Sequence, residues 1–163
     1  MHPTPDSSLP QITFKRPLVN LWTAVAALDR SSYEVLALIE EGRLRFAWNI
    51  ALRGDGQRDV RILTQSLFEF QNNQAAPSIS ADEDFQRAVK LIFPAVSHTR
   101  GVATVRAATI YKKFSVSSCH VLSLAEQGTL RLLAGTVQRP GPDGSPQIEF
   151  NSVVEFLARR RMV

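Results

Sequence analysis

The stretch SSYEVLALIEEGRLR, residues 31–45, returns as SSCHVLSLAEQGTLR at residues 117–131, an offset of 86 positions without a gap. Carried from Ser31 to Phe70, that offset gives 14 identities in 40 positions. They are Ser31, Ser32, Val35, Leu36, Leu38, Glu40, Gly42, Leu44, Arg45, Arg53, Ile62, Ser66, Glu69 and Phe70, each matched 86 residues on. A unit written twice in one chain is the first fact a fold has to satisfy.

Periodicity describes the first copy. Asn20 can cap a short helix, LWTAVAAL, and the Asp29-Arg30-Ser31-Ser32 stretch supplies a turn and a second cap. Val35, Leu36, Leu38 and Ile39 then share one face of a helix that Gly42 ends, since glycine takes the positive φ of a helix C-terminus. The period changes to two from Leu44: Phe46, Trp48, Ile50 and Leu52 alternate with Arg45, Ala47, Asn49, Ala51 and Arg53, the pattern of a half-buried strand. Gly54-Asp55-Gly56 reads as a hairpin turn, Val60-Arg61-Ile62 as the returning strand, and the residues from Thr64 as a helix burying Leu67, Phe68 and Phe70. Trp22 and Trp48 both fall on predicted apolar faces and are expected in the core.

The second copy repeats this order: AATIYKKF, a helix from Ser117 to Gln127, Gly128, a hairpin from Leu130 to Val137 through RPGPDGSP to Gln147–Phe150, and a closing helix SVVEFLARRR. Between the copies, Ser80 with Glu83 three residues on is a capping-box signature, and Phe85, Ala88, Val89 and Ile92 form an apolar stripe before Pro94. The division expected is an N-terminal arm (1–17) that is largely disordered, a first module (18–72), a linker (73–103) with a helix at about 81–93, and a second module (104–163). The helix stripe has to bury, either between the modules or in a dimer contact.

The 163 residues, 44% of them hydrophobic, suffice for one compact domain or two small ones. No apolar run approaches the roughly 20 residues that span a bilayer, and MHPTPDSSLP lacks the apolar run of a signal peptide, so a cytoplasmic, nucleoid-associated protein with no membrane partner is expected. A single cysteine excludes an internal disulfide, and His2, His98 and His120 are too scattered for a metal set, so neither metal nor cofactor is expected. Cys119 and His120 are neighbours on a helix, about 100° apart, and with no phosphate-cradling glycine loop or carboxylate pair the chain does not read as an enzyme. The formal charge of +4 is unevenly placed: residues 18–72 hold six Arg against seven acids, residues 104–163 eight Lys and Arg against four. A positive field on the second half suits a polyanion.

Helix, tight turn, helix, β-hairpin and helix is the order of a winged helix-turn-helix. VSSCHVLSLAEQGTLRLL followed by IEFNSVVEFLARR resembles the small winged helix-turn-helix of phage and mobile-element excisionases, itself similar to the DNA-binding domain of MerR-type regulators. The resemblance covers about 50 residues of each half and implies an α+β fold of two winged helix-turn-helix modules joined by a connecting helix. Double-stranded DNA is the partner it implies, with transcription regulation or an architectural part in recombination as the role. Such domains set the second helix in the major groove and the wing along the backbone. Transferred by position, Ser117, Ser118, His120 and Ser123 face the groove in the second module, with Arg131 and Arg139 in the wing; their first-module equivalents are Ser31, Ser32, Glu34 and Ala37, with Arg45, Arg53 and Arg58. Neither second helix carries the Lys or Arg that family members often have there, and both wings are longer than the compact ones of the family.

Lys112 and Lys113, just before the turn, are placed to neutralise phosphates, though a solvated helix face would carry the same pair. Arg159, Arg160 and Arg161 suit either a phosphate-binding tail or the favourable cations of a helix C-terminus. Glu34 could accept from a cytosine amino group, but beside Asp29, Glu40 and Glu41 it would repel phosphate. The first module therefore has a second reading, a protein-interaction or dimerisation unit that holds another copy or another DNA-bound protein.

Overall fold

The computed structural model describes residues 16–75, 78–133 and 146–162. It is an α+β protein whose described residues form seven helices and two small antiparallel sheets. The first half runs β1 (Leu18–Asn20), α1 (Leu21–Leu28), α2 (Ser32–Glu40), β2 (Ala47–Asn49), β3 (Val60–Leu63) and α3 (Thr64–Gln71). After α4 (Ala81–Ile92) and β4 (Ser97–Thr99) come β5 (Val102–Arg106), α5 (Ala107–Phe114), α6 (Ser118–Glu126), β6 (Gln147–Glu149) and α7 (Phe150–Arg160). α5 and α6 lie 86 positions after α1 and α2 at both ends, and α7 begins 86 after α3.

The repeated residues make repeated contacts. Ser31 and Ser117 cap α2 and α6, their hydroxyls accepting from Glu34 N and His120 N, and Gly42 and Gly128 close those helices at the same φ of 73°. The backbone N–H of Arg45 donates to Ser66 Oγ at 2.9 Å, and that of Arg131 to Ser152 Oγ at 3.0 Å. Arg45 pairs with Glu69 at 2.9 Å, and Arg131 with Glu155 at 3.1 Å. The shared Arg, Ser and Glu thus tie the segment after the second helix to the last helix of each unit, which is why all three survive in both copies. Pairing within the hairpins is less faithful: Leu63 N donates to Phe46 O, whereas Glu149 N donates to Arg131 O, one residue out of step with the offset.

The first sheet has the order β1-β3-β2, with Ala47 opposite Ile62 and Val19 opposite Ile62 on the other side. One face, with Val19, Ala47, Val60 and Ile62, packs with Ala24, Val35, Leu38, Ile39 and Leu67. The other, with Leu18, Phe46, Trp48, Ile50 and Leu63, belongs to the same core as Ala88, Val89 and Ile92 of α4 and Ile110, Phe114, Val121, Leu124, Phe156 and Leu157 of the second half. The apolar stripe of α4 is therefore buried between the two halves, and the second core is common to them. β2 is correspondingly shorter than the alternation suggests and buried on both faces, Ala47 as fully as Trp48. Gly54 to Gly56 lie in a loop, where Asn49 Oδ1 accepts from Ala51 N and Asp59 N.

Two further contacts bind the halves. The last described residues of the chain lie along β2: Met162 N donates to Ala47 O at 2.8 Å and Arg161 bridges Trp48, covering what would be a bare sheet edge. Buried Arg61 of β3 donates through Nε to Phe114 O at 2.6 Å and through a terminal nitrogen to Ser115 O at 3.2 Å, satisfying the open carbonyls where α5 ends. Asp59 balances its charge. Trp22 and Phe68 are expected in the core and are not there: Trp22 is 69% exposed, because only Ala24 of α1 points fully inward, and Phe68 is exposed on α3, whose buried face is Ser66 and Leu67.

Candidate nucleic-acid interface

α5 ends at Ser115, which takes the left-handed conformation at φ 53° and turns the chain into the cap of α6. The last turn of α5 carries Lys112 and Lys113, and Arg16 reaches the same place from the other end of the chain, donating to Ser115 Oγ at 2.9 Å. An open depression of about 610 Å³ lies there, lined by Arg16, Pro17, Tyr111, Ser115, Val116 and the two lysines, with no acid among them. Three cations at the corner between α5 and α6 make a local positive field fit for a phosphate group. The matching corner of the first half has Ala26 and Ala27 in place of the lysines and Asp29 in place of Ser115, so the offset that preserves the fold discards the charge.

The exposed start of α6 presents Ser118 and Cys119, while Ser123 is half-buried. His120 turns away from that surface: its Nε2 meets the carbonyl of Ile50 at 2.7 Å, so the ring donates to the first half. Gln127, seven residues on along the same flank, exchanges hydrogen bonds with the backbone of Arg53. Ser117 is occupied as a helix cap. Of the residues transferred to the groove-facing side of the second unit, Ser118 is the one left exposed without such a commitment.

In α2, Ser31 and Glu34 hold each other in a capping box, with Ser31 N donating to Glu34 Oε2 at 2.7 Å. That backbone hydrogen bond, then the Ser31 hydroxyl and the charge of Arg30, keep the Glu34 carboxyl below its ordinary value. Ser32 is half-buried, and Tyr33, 81% exposed, dominates the outward face together with Glu40 and Glu41.

The hairpin arginines divide. Arg45 is spent on Glu69 and on Asp84 of α4, with its guanidinium over the Phe46 ring. Arg131 is held by Glu155 and Glu149, which raise its pKa and lower that of Glu155. Arg53 and Arg58 are exposed, and neither is in an ion pair among the described residues. Arg139 lies outside the described residues. Arg159 is exposed at the end of α7, Arg160 lies over Phe156, and Arg161 stacks on Phe46 at 4.5 Å while donating to Arg45 O. The three terminal arginines therefore do not act as one tail.

Arg16 is the site residue that the sequence does not single out. Its signal is faint: Lys15-Arg16 is the one basic pair in the first 17 residues, directly before the first strand. Among the described residues no group of His, Cys, Asp and Glu could hold a metal ion, and no helix is long and apolar enough to cross a membrane. No protein-family model matches this chain, and no curated protein or solved structure matches it either.

Proposed function

We propose that the chain binds double-stranded DNA, that each repeat is a winged helix-turn-helix, and that the second repeat makes the principal contact. The observation that carries this reading is the gathering of Arg16, Lys112 and Lys113, without an acid, around the α5–α6 corner. Phosphate contacts there would supply most of the affinity through counterion release. Ser118 at the exposed start of α6 would meet base edges, and serine reads several bases, so the discrimination expected is modest. Arg53 and Arg58 of the first hairpin are free to reach a backbone. The wing arginine Arg131 is the weaker candidate, because binding phosphate would cost it two carboxylates.

The role that fits is a transcription regulator or an excisionase-like architectural factor, acting in the cytoplasm at the nucleoid. Gel shifts with circularly permuted fragments separate the two, since an architectural factor must bend its site. The reading itself is tested by fluorescence anisotropy of the full chain with a labelled duplex across a salt series. Saturable binding that weakens steeply with salt is expected; affinity independent of salt, or none, overturns it.

A second reading concerns the first repeat alone. Its exposed Trp22 on α1 and Tyr33 on α2 sit on a unit whose charge is −1, a surface better suited to a protein than to DNA.

A further inference from the structure

Arg30 and Arg43 stand at opposite ends of α2, yet their guanidinium carbons lie 5.8 and 5.1 Å from the centroid of one ring, that of Phe70 in the last turn of α3. The reversal at Gly42 brings this about. With Gly42 at φ 73°, Arg43 N donates back to Leu38 O, and the chain doubles alongside α2 toward α3. Two like charges are thus held within 10.9 Å of each other, the sum of the two distances to the ring. Neither is in an ion pair among the described residues. Of the nearby carboxylates, Glu34 is committed to the Ser31 cap and Glu69 to Arg45, while Asp29, Glu40 and Glu41 are exposed and in no ion pair among the described residues, so they compete with a ligand only through solvent. Beside Arg43 and Phe70 an open depression of about 300 Å³ is lined by the polar side chains of Asn73 and Gln74 and by the paired Arg45 and Glu69.

An aromatic face steadies each guanidinium without neutralising it, so the pair keeps its donors and its charge for a ligand. We infer that Arg30 and Arg43, braced on Phe70, form a second phosphate-binding site, on the first repeat and away from the outward face of α2. The planar fork of arginine matches two phosphate oxygens, and two forks braced on one ring suit neighbouring phosphates of a backbone or a phosphate on either fork. The second repeat has Val116 and Thr129 at these positions, so the site belongs to the first repeat alone. This inference goes beyond the proposed function, which rests on the second repeat. A phosphodiester backbone and a small phosphate are the two sources of the same chemistry.

The test follows the Nε–Hε resonances of Arg30 and Arg43 in the full chain, assigned through Arg30→Gln and Arg43→Gln, during titration with inorganic phosphate and with a duplex of about two helical turns. The expected result is that the duplex shifts both resonances, and that the double Gln variant lowers the slope of log K against log salt by about 1.8, two contacts' worth, with Lys112 and Lys113 intact. Shifts with phosphate but not with duplex support the site and assign it to a small phosphate. No shift with either probe overturns it. Duplex that shifts the arginines but leaves Lys112 and Lys113 unmoved counts against the second-repeat reading alone.

Discussion

His120 Nε2 lies 2.7 Å from the carbonyl oxygen of Ile50, so the second helix of the second repeat is hydrogen-bonded to the hairpin of the first. A carbonyl only accepts, which fixes the ring as donor at Nε2. With the common core on either side of this contact, the two repeats are expected to unfold in one urea transition rather than two. His120→Ala should lower stability by about 1 kcal/mol, the usual result of leaving a carbonyl without its partner. Two separate transitions in the wild-type chain would contradict the shared core.

Arg61 gives the largest expected effect among the arginines. Its guanidinium closes two carbonyls at the end of α5 from within the core, where it is 6% exposed. Arg61→Met leaves those acceptors and Asp59 without their partner and should lower stability by about 3 kcal/mol in chemical denaturation. Arg58→Gln, in an exposed loop, should stay within about 0.5 kcal/mol.

The Arg131–Glu155 pair predicts a pH dependence. The Glu155 carboxyl is held down chiefly by its hydrogen bonds to Arg131, so the folded protein favours the ionised form. A lowered folded value means stability that is present above the ordinary carboxylate range and is lost as pH falls through the folded value. The urea midpoints of wild type and Glu155→Gln should therefore differ at neutral pH and converge in acid. Both side chains are nearly half exposed, so the difference should also shrink in high salt. A gap that persists in acid would mean that the variant acts through packing instead.

The two tryptophans should be optically distinct. Trp48 is fully buried and its indole nitrogen has no hydrogen-bond partner among the described residues, while Trp22 is 69% exposed. Iodide should quench only part of the native emission, and Trp22→Phe should abolish the quenchable part. Native emission that iodide leaves wholly unquenched would place Trp22 in the core after all.

Local signals were legible in the sequence wherever neighbours along the chain determine them. The caps at Asn20, Ser31 and Ser80, the glycine stop at Gly42 and the apolar face of α2 need only residues three or four positions away. β1, β4 and β5, of three to five residues, are too short to show a period. The shared core is invisible for a different reason: Phe46 and Trp48 look like one face of a half-buried strand, and nothing nearby says that Ala47 is covered too. The commitments of Arg45 and Arg131 could have been inferred, since Arg, Ser and Glu recur together in both copies at the same separations. The closure of α5 by Arg61 could not, because Gln147 stands at its equivalent position and no repeat marks it.

The central claim, that the α5–α6 corner is where this chain meets DNA, rests on three cations. Its most direct test is the salt dependence of duplex affinity for the full chain and for the triple variant Arg16→Gln, Lys112→Gln, Lys113→Gln. If each cation neutralises one phosphate, the variant should lose about 2.7 from the slope of log K against log salt, with a similar loss of affinity on every duplex sequence tried. A variant that keeps the wild-type slope and affinity would contradict it.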